Sequence, residues 1–261
     1  MSTPPSTPLA EELGFSIVTI VYNNAQTIRM AVESVLEQSH PRVQHVVIDG
    51  GSTDGTLEIL EEYRDQLGVL VSEPDEGLYD ALNKGIARST EDIIGFVHAD
   101  DLLAGPDALA AVAEGFSSSG SNAVYGDVER FKNDDPNSIF RFWKGGEYSP
   151  RMLKRGWMPP HTGFFAYRKV YEAIGDFNCS FRIAADYDWL LRFMTSDLSS
   201  MTYLPKVIVK MREGGVSNSS IRNILDKSKE DYRALRTNRV GGVRTLLWKN
   251  VRKVPQFFNR S

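Results

Sequence analysis

Cysteine is nearly absent from this 261-residue sequence, in which Cys179 is the single thiol. One thiol excludes an intramolecular disulfide and a zinc site built from several thiolates, so a reducing cytoplasm is the expected setting. Long apolar runs are also missing, since none approaches the roughly 20 residues that a membrane-spanning helix needs. Residues 1–14 have neither the basic nor the apolar region of a secretory signal, and we expect a disordered leader there.

Charge of one sign is missing from the last part of the chain. The whole sequence has 30 basic and 34 acidic groups, a net charge of -4. Residues 236–261 hold seven basic residues and no acid, so residues 1–235 carry 23 basic and 34 acidic groups, a net -11. An acidic body argues against a nucleic-acid-binding protein, and the basic tail predicts contact with an anionic partner.

Short β-branched runs alternate with longer segments of helical period, which predicts an α/β fold with a mainly parallel sheet covered by helices. The first four strands are expected at residues 15–21, 44–48, 69–72 and 93–97, and helices at 27–37, 56–66, 78–88 and 107–116. Later strands are expected at 123–128, 139–143, 162–167 and 201–209, with a helix over 186–194. We expect one mixed domain over residues 15–217 and a helical, basic tail over 218–261.

Acidic residues follow three of the first four predicted strands. Asp49 ends the second, Asp75 follows the third, and the pair Asp100-Asp101 follows the fourth. Because the carboxyl ends of parallel strands meet at one edge, these carboxylates would concentrate negative charge there unless a cation joins them. Hard oxygen ligands suit Mn²⁺ or Mg²⁺ shared with a substrate phosphate. For Asp54, which precedes a predicted helix, a local cap or Asx-turn is an equally good explanation.

The glycine-rich segment DGGSTDGT at residues 49–56 invites comparison with phosphate-binding loops. It lacks both the Lys-Ser/Thr ending of a P-loop and the G-x-G-x-x-G spacing of a dinucleotide-binding turn. No motif therefore supports ATP hydrolysis or hydride transfer.

Six motifs in a fixed order carry a more specific signal: FSIVTIVYNN, HVVIDGGSTDGT, SEPDEGLYDALNKGI, DIIGFVHADD, PHTGFFAYRKV and FRIAADYDWLLR. Together they resemble the inverting glycosyltransferases of family 2, in particular the bacterial enzymes that assemble exopolysaccharide, O-antigen or glycolipid sugars. The resemblance covers residues 15–217. It implies the GT-A fold, a Rossmann-like, mixed but mainly parallel sheet flanked by helices.

The resemblance assigns six residues to the nucleotide pocket: Tyr22, Asn23, Asp49, Asp75, Asn83 and Lys84. Asp49 matches the aspartate that contacts the base, and Asp75 a second acid near base and ribose. Asn83 and Lys84 fall on the helix that closes the floor of the pocket, and a solvated helix face is the alternative for both.

His98-Ala99-Asp100 stands where the family has its D-x-D motif. The resemblance implies that Asp100 is the principal metal ligand and that Asp101 supports it or binds the sugar. His98 departs from the pattern, because histidine replaces the first acid. A neutral imidazole can still bind ribose or a metal, while a histidine satisfied by backbone groups at the end of the strand is the alternative.

Asp186 matches the aspartate that the family uses as general base, at the start of a predicted helix, and Asp188 is the second candidate. Ala185 stands where the family often has glutamate. The alternative for Asp186 is an acid that only complements the helix dipole. His161 precedes a later strand and is a candidate for contact with the diphosphate or the acceptor, with core packing as its alternative.

The resemblance implies metal-dependent transfer of a sugar from a UDP, GDP or dTDP donor to an acceptor hydroxyl, with inversion. Such a displacement needs a base on the face opposite the leaving group. The expected setting is the cytoplasm, at the inner face of the membrane if the acceptor is lipid-linked. Two alternatives are a nucleotidyltransferase, although residues 21–25 lack the basic glycine-rich loop for a triphosphate, and a non-catalytic nucleotide-sugar-binding protein. The paired glycines 214–215 predict a loop that closes over the donor.

The basic tail has an amphipathic pattern, in which apolar residues recur at spacings of three or four: Val240, Val243, Leu247, Val251 and Val254. With Trp248, Phe257 and Phe258, a helix of this kind can lie in the interface of an anionic membrane. The alternative is a terminal helix packed on the domain with its charges in water.

Overall fold

The computed structural model describes residues 9–132, 135–213 and 221–251. Its strands are β1 Phe15–Val21, β2 Val43–Asp49, β3 Val69–Ser72, β4 Ile93–Phe96, β5 Asp101–Leu103, β6 Ala123–Lys132, β7 Asp135–Trp143, β8 Phe164–Tyr167 and β9 Met201–Arg212. Its α-helices are α1 Ile28–Leu36, α2 Thr56–Glu61, α3 Leu78–Ala87, α4 Ala108–Ser119, α5 Pro150–Leu153, α6 Arg168–Ile174, α7 Ala185–Met194, α8 Ile221–Thr237 and α9 Val243–Val251.

The strands form one mixed sheet in the order β3-β2-β1-β4-β8-β6-β9-β5, with β7 paired to β6. β3, β2, β1 and β4 run parallel, as the alternating pattern predicts. The register places Val21 of β1 beside Asp49 of β2, and Asp49 beside Ser72 of β3. Three neighbouring strands therefore end in one row, and the loops that follow them meet at the same edge.

β1 is an interior strand of the sheet and is buried on both faces. All seven of its residues are buried, with Val18 and Ile20 in one apolar cluster and Phe15 and Ile17 in another. Helix α3 lies close to this strand because Gly85 has no side chain: a Cβ there would stand 2.3 Å from Cγ1 of Val18. The β1–α3 contact positions the loop that precedes α3 at the carboxyl edge.

The expected strand boundaries are confirmed for β1 and β3 and fall within one residue for β2 and β4. β6, β7 and β9 are longer than the apolar pattern indicates, because pairing between these strands continues through charged residues such as Arg130 and Arg141. The short strand β5 and helices α5 and α6 were not expected. The helix expected over 56–66 ends at Glu61 and is followed by a 3-10 turn, Arg64–Gln66.

The described part of the tail is helical, as expected, and it packs on the domain through α8 and α9. Asn238 donates a 2.8 Å hydrogen bond to Asp188 of α7. Lys249 and Asp231 form an ion pair of 2.6 Å in which each side chain is 3 % exposed. The alternative for the tail, a terminal helix packed on the domain, therefore applies to the inward face of α9. Val254, Phe257 and Phe258, and residues 214–217 of the expected loop, lie outside the described residues.

None of the helices in the described ranges is long and apolar enough to cross a membrane.

Replacing Lys249 by methionine should lower the free energy of unfolding by about 3–5 kcal/mol, because the Asp231 carboxylate would stay buried without its partner. Urea denaturation measures the change. The double variant Asp231→Leu/Lys249→Met should recover most of the loss, since neither charge is then buried alone. Wild-type stability in the single variant would show that this ion pair does not hold α9 on α8.

Candidate active site

The carboxylate of Asp49, at the end of β2, is hydrogen-bonded by the loop that follows it and by Ser72 at the end of β3. Asp49 is fully buried, and its Oδ2 accepts hydrogen bonds from the Ser72 hydroxyl at 2.6 Å and the Ser52 N–H at 3.1 Å. The Ser52 hydroxyl donates to Oδ1 of the same carboxylate. Asp49 therefore fixes the turn between β2 and α2 and presents it at the carboxyl edge.

Tyr22 and Asp75 lie against this turn. A Cβ on Gly50 would stand 2.5 Å from Oδ2 of Asp75 and 3.4 Å from Cδ2 of Tyr22, so glycine allows the close approach of both side chains. Asp75 Oδ1 accepts the N–H of Gly77 at 2.8 Å. The Tyr22 side chain is 64 % exposed. The structure thus brings together three of the expected nucleotide-pocket residues, with an aromatic ring open to a ligand.

Hydrogen bonds of Asn23 and Asp54 join the loop after β1 to the loop after β2. Asn23 has a left-handed backbone (φ 47°), its side-chain oxygen accepts the N–H of Thr53 at 2.8 Å, and its own N–H donates to Ser52. Asp54 accepts the N–H of Ala25 at 3.0 Å and that of Thr56 at 3.1 Å. Its hydrogen bonds, first that from the Thr56 hydroxyl, lower the pKa of Asp54. Asp54 has the local Asx-turn role that the sequence offers as its alternative.

Asn83 and Lys84, both in α3, hold the loops that contain Phe177 and Pro74. The Asn83 amide bonds both backbone groups of Phe177, donating to its carbonyl and accepting its N–H, each at 2.9 Å. Lys84 pairs with Asp80 at 3.2 Å and Glu73 at 3.3 Å and donates to the carbonyl of Pro74. The polar atoms of both side chains are therefore bound to neighbouring protein groups.

His98 and Asp100 follow β4. The Thr27 hydroxyl holds the segment between them by donating to the carbonyl of Ala99 at 2.6 Å. Burial, and next the neighbouring charge of His161, lower the pKa of His98 to about 4, while the carboxylates of Asp100 and Asp186 act in the opposite direction. His98 is therefore a neutral imidazole at physiological pH, and its Nδ1 is buried without a hydrogen-bond partner in the described part of the chain.

His161 forms a second imidazole beside the first. Its ring stacks on Phe96 with centroids 5.4 Å apart and lies 6.5 Å from the ring of His98. Burial lowers the pKa of His161, and Asp186 opposes that shift. Neither nitrogen of His161 has a hydrogen-bond partner among the described residues. A ligand that carries hydroxyl groups would satisfy these buried atoms.

Asp186 lies half-buried in the first turn of α7, facing Tyr79 of α3. Its Oδ1 accepts the N–H of Tyr187 at 2.8 Å and lies 3.4 Å from the Tyr79 hydroxyl, which donates to the carbonyl of Ile183 at 2.8 Å. Burial, together with the Asp186 charge, raises the pKa of Tyr79, so the phenol keeps its proton. Sequence reasoning did not single out Tyr79, although it stands in the quoted SEPDEGLYDALNKGI motif.

Asp188 lies on another face of the same helix, two residues further on. Its Oδ2 accepts from Nε of Arg192 at 3.1 Å, its Oδ1 accepts from Asn238 at 2.8 Å, and the residue is 3 % exposed. The structure therefore does not bring Asp188 to the side of α7 where Asp186 faces His98 and His161.

Asp101 is buried at the start of β5, next to the half-buried Asp100. Burial, and then the charge of Asp100, raise the pKa of Asp101 well above its usual range, and Arg130 and Arg212 oppose this shift. Its Oδ2 has no hydrogen-bond partner among the described residues. Those residues contain no group of three His, Cys, Asp or Glu side chains placed to hold a metal ion. Asp100 and Oδ2 of Asp101 fit a hard cation that takes its remaining ligands from a phosphate and water.

The family model Glycosyl transferase family 2 matches residues 16–183. The PGL/p-HBAD biosynthesis glycosyltransferase of Mycobacterium bovis (strain BCG / Pasteur 1173P2) is 32 % identical over 253 residues, which cover 95 % of this chain and 93 % of the relative. Chondroitin synthase of Pasteurella multocida is 29 % identical over 219 residues, 83 % of this chain but 22 % of the longer relative.

Solved structures share the fold. The chain resembles S. aureus TarS 1–349 in complex with UDP-GlcNAc at a TM-score of 0.64 and 18 % identity, over 87 % of this chain and 66 % of that one. It also resembles the mannosyltransferase PcManGT from Pyrobaculum calidifontis in complex with GDP-Man and Mn²⁺. The TM-score is 0.63 and the sequence identity 19 %, over 90 % of this chain and 66 % of that one. The chain spans 39 % of the longer TarS structure. The expected Rossmann-like GT-A fold is confirmed.

Replacing Asn83 by alanine should lower the free energy of unfolding by about 1–3 kcal/mol, because both backbone groups of Phe177 lose their partner. Urea denaturation measures this change. Asn83→Asp keeps the acceptor for the Phe177 N–H and loses the donor, so its stability should be intermediate. Unchanged stability, combined with weaker nucleotide binding, would instead make Asn83 a direct pocket residue.

Proposed function

The chain belongs to glycosyl transferase family 2, and from this membership we propose that it transfers a sugar from a nucleoside-diphosphate sugar to an acceptor hydroxyl with inversion at the anomeric carbon. Family membership favours this reaction over the nucleotidyltransferase alternative. One observation supports it most: a half-buried carboxylate, Asp186, faces two neutral imidazoles, and Nδ1 of His98 and both nitrogens of His161 lack hydrogen-bond partners in the described part of the chain.

Asp186 is the general base of the proposed reaction. An acceptor oxygen must lose its proton as it attacks the anomeric carbon, and a carboxylate within hydrogen-bond reach can take it. Asp188 is unsuited to this role because both of its oxygens are bound to protein donors. The Tyr79 phenol, 3.4 Å from Oδ1, restricts the orientation of the Asp186 carboxylate.

The donor lies across the carboxyl edge of the sheet in this proposal. The nucleoside occupies the side formed by Tyr22, Asp75 and the turn that the buried Asp49 holds, where the exposed aromatic ring can stack on a base. The sugar lies over His98 and His161, and its hydroxyl groups satisfy the buried imidazole nitrogens. TarS was solved with UDP-GlcNAc and PcManGT with GDP-Man, and we propose a donor of the same class, with UDP, GDP or dTDP as its nucleotide.

Asp100 and Asp101 would hold Mn²⁺ or Mg²⁺ together with the diphosphate. A divalent cation bound there supplies positive charge against the departing diphosphate. The partner-free Oδ2 of Asp101 and the adjacent Asp100 carboxylate support this assignment. PcManGT was solved with Mn²⁺, and we propose the same kind of dependence here. His98 in place of an acid lowers the negative charge of this cation site.

We propose that the acceptor is lipid-linked and that the protein binds it at the cytoplasmic face of the membrane. Helix α9 turns Lys249 inward and leaves four apolar side chains 55–59 % exposed, namely Val243, Leu247, Trp248 and Val251. The segment that follows α9 contains basic residues and no acid. An exposed apolar face beside basic residues suits the interface of an anionic bilayer, where apolar side chains enter and cations meet lipid head groups.

The Asp186→Asn variant tests the proposed reaction. Turnover of the donor should fall about 10²–10⁴-fold, because the amide cannot take the proton, while nucleotide binding persists. Thermal shifts with UDP, GDP and dTDP, with and without Mn²⁺, identify the nucleotide, and release of nucleoside diphosphate measures turnover. Asp188→Asn is the comparison, with lower stability and retained turnover expected.

Wild-type turnover in Asp186→Asn would remove Asp186 as the base. Stabilisation of the wild type by a nucleotide without any transfer or donor hydrolysis would favour the non-catalytic alternative.

The exposed face of α9 can be tested without removing the helix, whose inner face is part of the fold. Leu247→Gln/Trp248→Gln should weaken binding to phosphatidylglycerol vesicles about tenfold or more, because two apolar side chains no longer enter the bilayer. Vesicle co-sedimentation measures the change, with phosphatidylcholine vesicles and the 69 % exposed Leu9, changed to Gln, as controls. Equal binding by the double variant and the wild type would contradict the proposed membrane contact.

A further inference from the structure

Glu230, in α8, contacts the backbone immediately before the helix that carries Asp186. Its carboxylate accepts three N–H groups: Oε1 that of Arg182 at 2.9 Å, and Oε2 those of Ile183 at 2.8 Å and Ala184 at 2.9 Å. The two segments are 46–48 residues apart in sequence. One side chain therefore collects three consecutive donors at the N-terminus of α7.

Helix α7 needs an acceptor at this end. The first N–H groups of a helix have no partner within it, and a polar side chain at the N-cap normally supplies one. The N-cap of α7 is Ala184, which has no such side chain. Glu230, from a different helix, accepts the N–H of this N-cap residue and those of the two residues before it, and its negative charge suits the positive end of the α7 dipole.

Asp186 stands in the first turn of α7, two residues after the last N–H that Glu230 binds, and its Oδ1 accepts the N–H of Tyr187. Because Glu230 fixes the backbone of residues 182–184, it fixes the place at which α7 begins. The first turn then holds the Asp186 carboxylate beside Tyr79.

Contacts made by residues that follow Glu230 hold α8 in place. Asp231 forms the buried ion pair with Lys249 of α9. Arg233 lies 4.5 Å from the ring centre of Phe181 and donates to the Ser180 hydroxyl at 2.9 Å. Further along, Asn238 bonds Asp188 of α7. The Glu230 carboxylate is thus supported by a helix that is attached to α7 at several points.

We propose that Glu230 is a positioning residue for sugar transfer: it anchors the backbone that leads into α7 and so holds the Asp186 carboxylate where the acceptor hydroxyl can reach it. This inference rests on the proposed function, in which Asp186 is the base. It also assigns part of the working site to the segment that the sequence predicts to be a tail.

The test compares Glu230→Ala, Glu230→Gln and the matched surface control Glu172→Gln, whose side chain is 59 % exposed in an ion pair with Arg168. In Glu230→Ala we expect kcat to fall about tenfold to a hundredfold, since a small displacement of a catalytic group costs this much. The donor KM and the nucleotide-induced thermal shift should stay within about twofold of the wild type. Glu230→Gln, which retains one acceptor oxygen, should be intermediate, and Glu172→Gln unchanged.

Amide hydrogen exchange provides a readout that needs no turnover. Residues 182–184 should exchange faster in Glu230→Ala than in the wild type, while the middle of α7 stays protected. If the wild type transfers no sugar but this exchange pattern is found, the proposed function fails and the cap remains. Unchanged exchange, a wild-type kcat in Glu230→Ala, or a parallel loss of kcat and nucleotide binding would each overturn the positioning role.

Discussion

The parallel pairing of β1 with β2 and β4 is the constraint on which the site depends. β1 is buried on both faces, so a shift of one residue would exchange the side chains that face its two apolar clusters. The resulting register aligns the ends of β1, β2 and β3 at Val21, Asp49 and Ser72. The loops that follow these strands therefore lie at one edge of the sheet. Residues far apart in sequence can share a ligand there.

Collecting carboxylates at one end of a sheet is costly unless each has a distinct environment, and the structure provides one for each. Asp49 is held by serine donors, Asp101 lies near arginines of neighbouring strands, and Asp188 pairs with Arg192. Asp186 instead faces Tyr79 and two neutral imidazoles. The neighbours of these acids differ: protein donors occupy both oxygens of Asp49 and of Asp188, whereas Oδ2 of Asp101 has no hydrogen-bond partner in the described part of the chain.

Much of the fold follows from local pattern. The apolar runs predict the parallel strands and place the motif residues at their ends, and the ordered motifs predict the family. The contacts that orient these residues do not follow from pattern, because they join distant segments: Tyr79 meets Asp186 across 107 positions, and Glu230 reaches Ala184 across 46. Tyr79 could have been found from its motif. Glu230 lies in a segment whose charge and period describe an ordinary amphipathic helix, so no signal marked it.

The sequence by itself determined the order of the first four strands and the helices between them, the placement of acids after strands, and a basic, amphipathic end of the chain. Only the tertiary structure shows that Asp186 and Asp188 have different neighbours, and that the two faces of α9 differ, with Lys249 buried and Trp248 exposed. The physical reason is the same in both cases. Positions one or two residues apart on a helix point in directions about 100° or 200° apart, and what lies opposite each is supplied by segments that only the folded chain brings near.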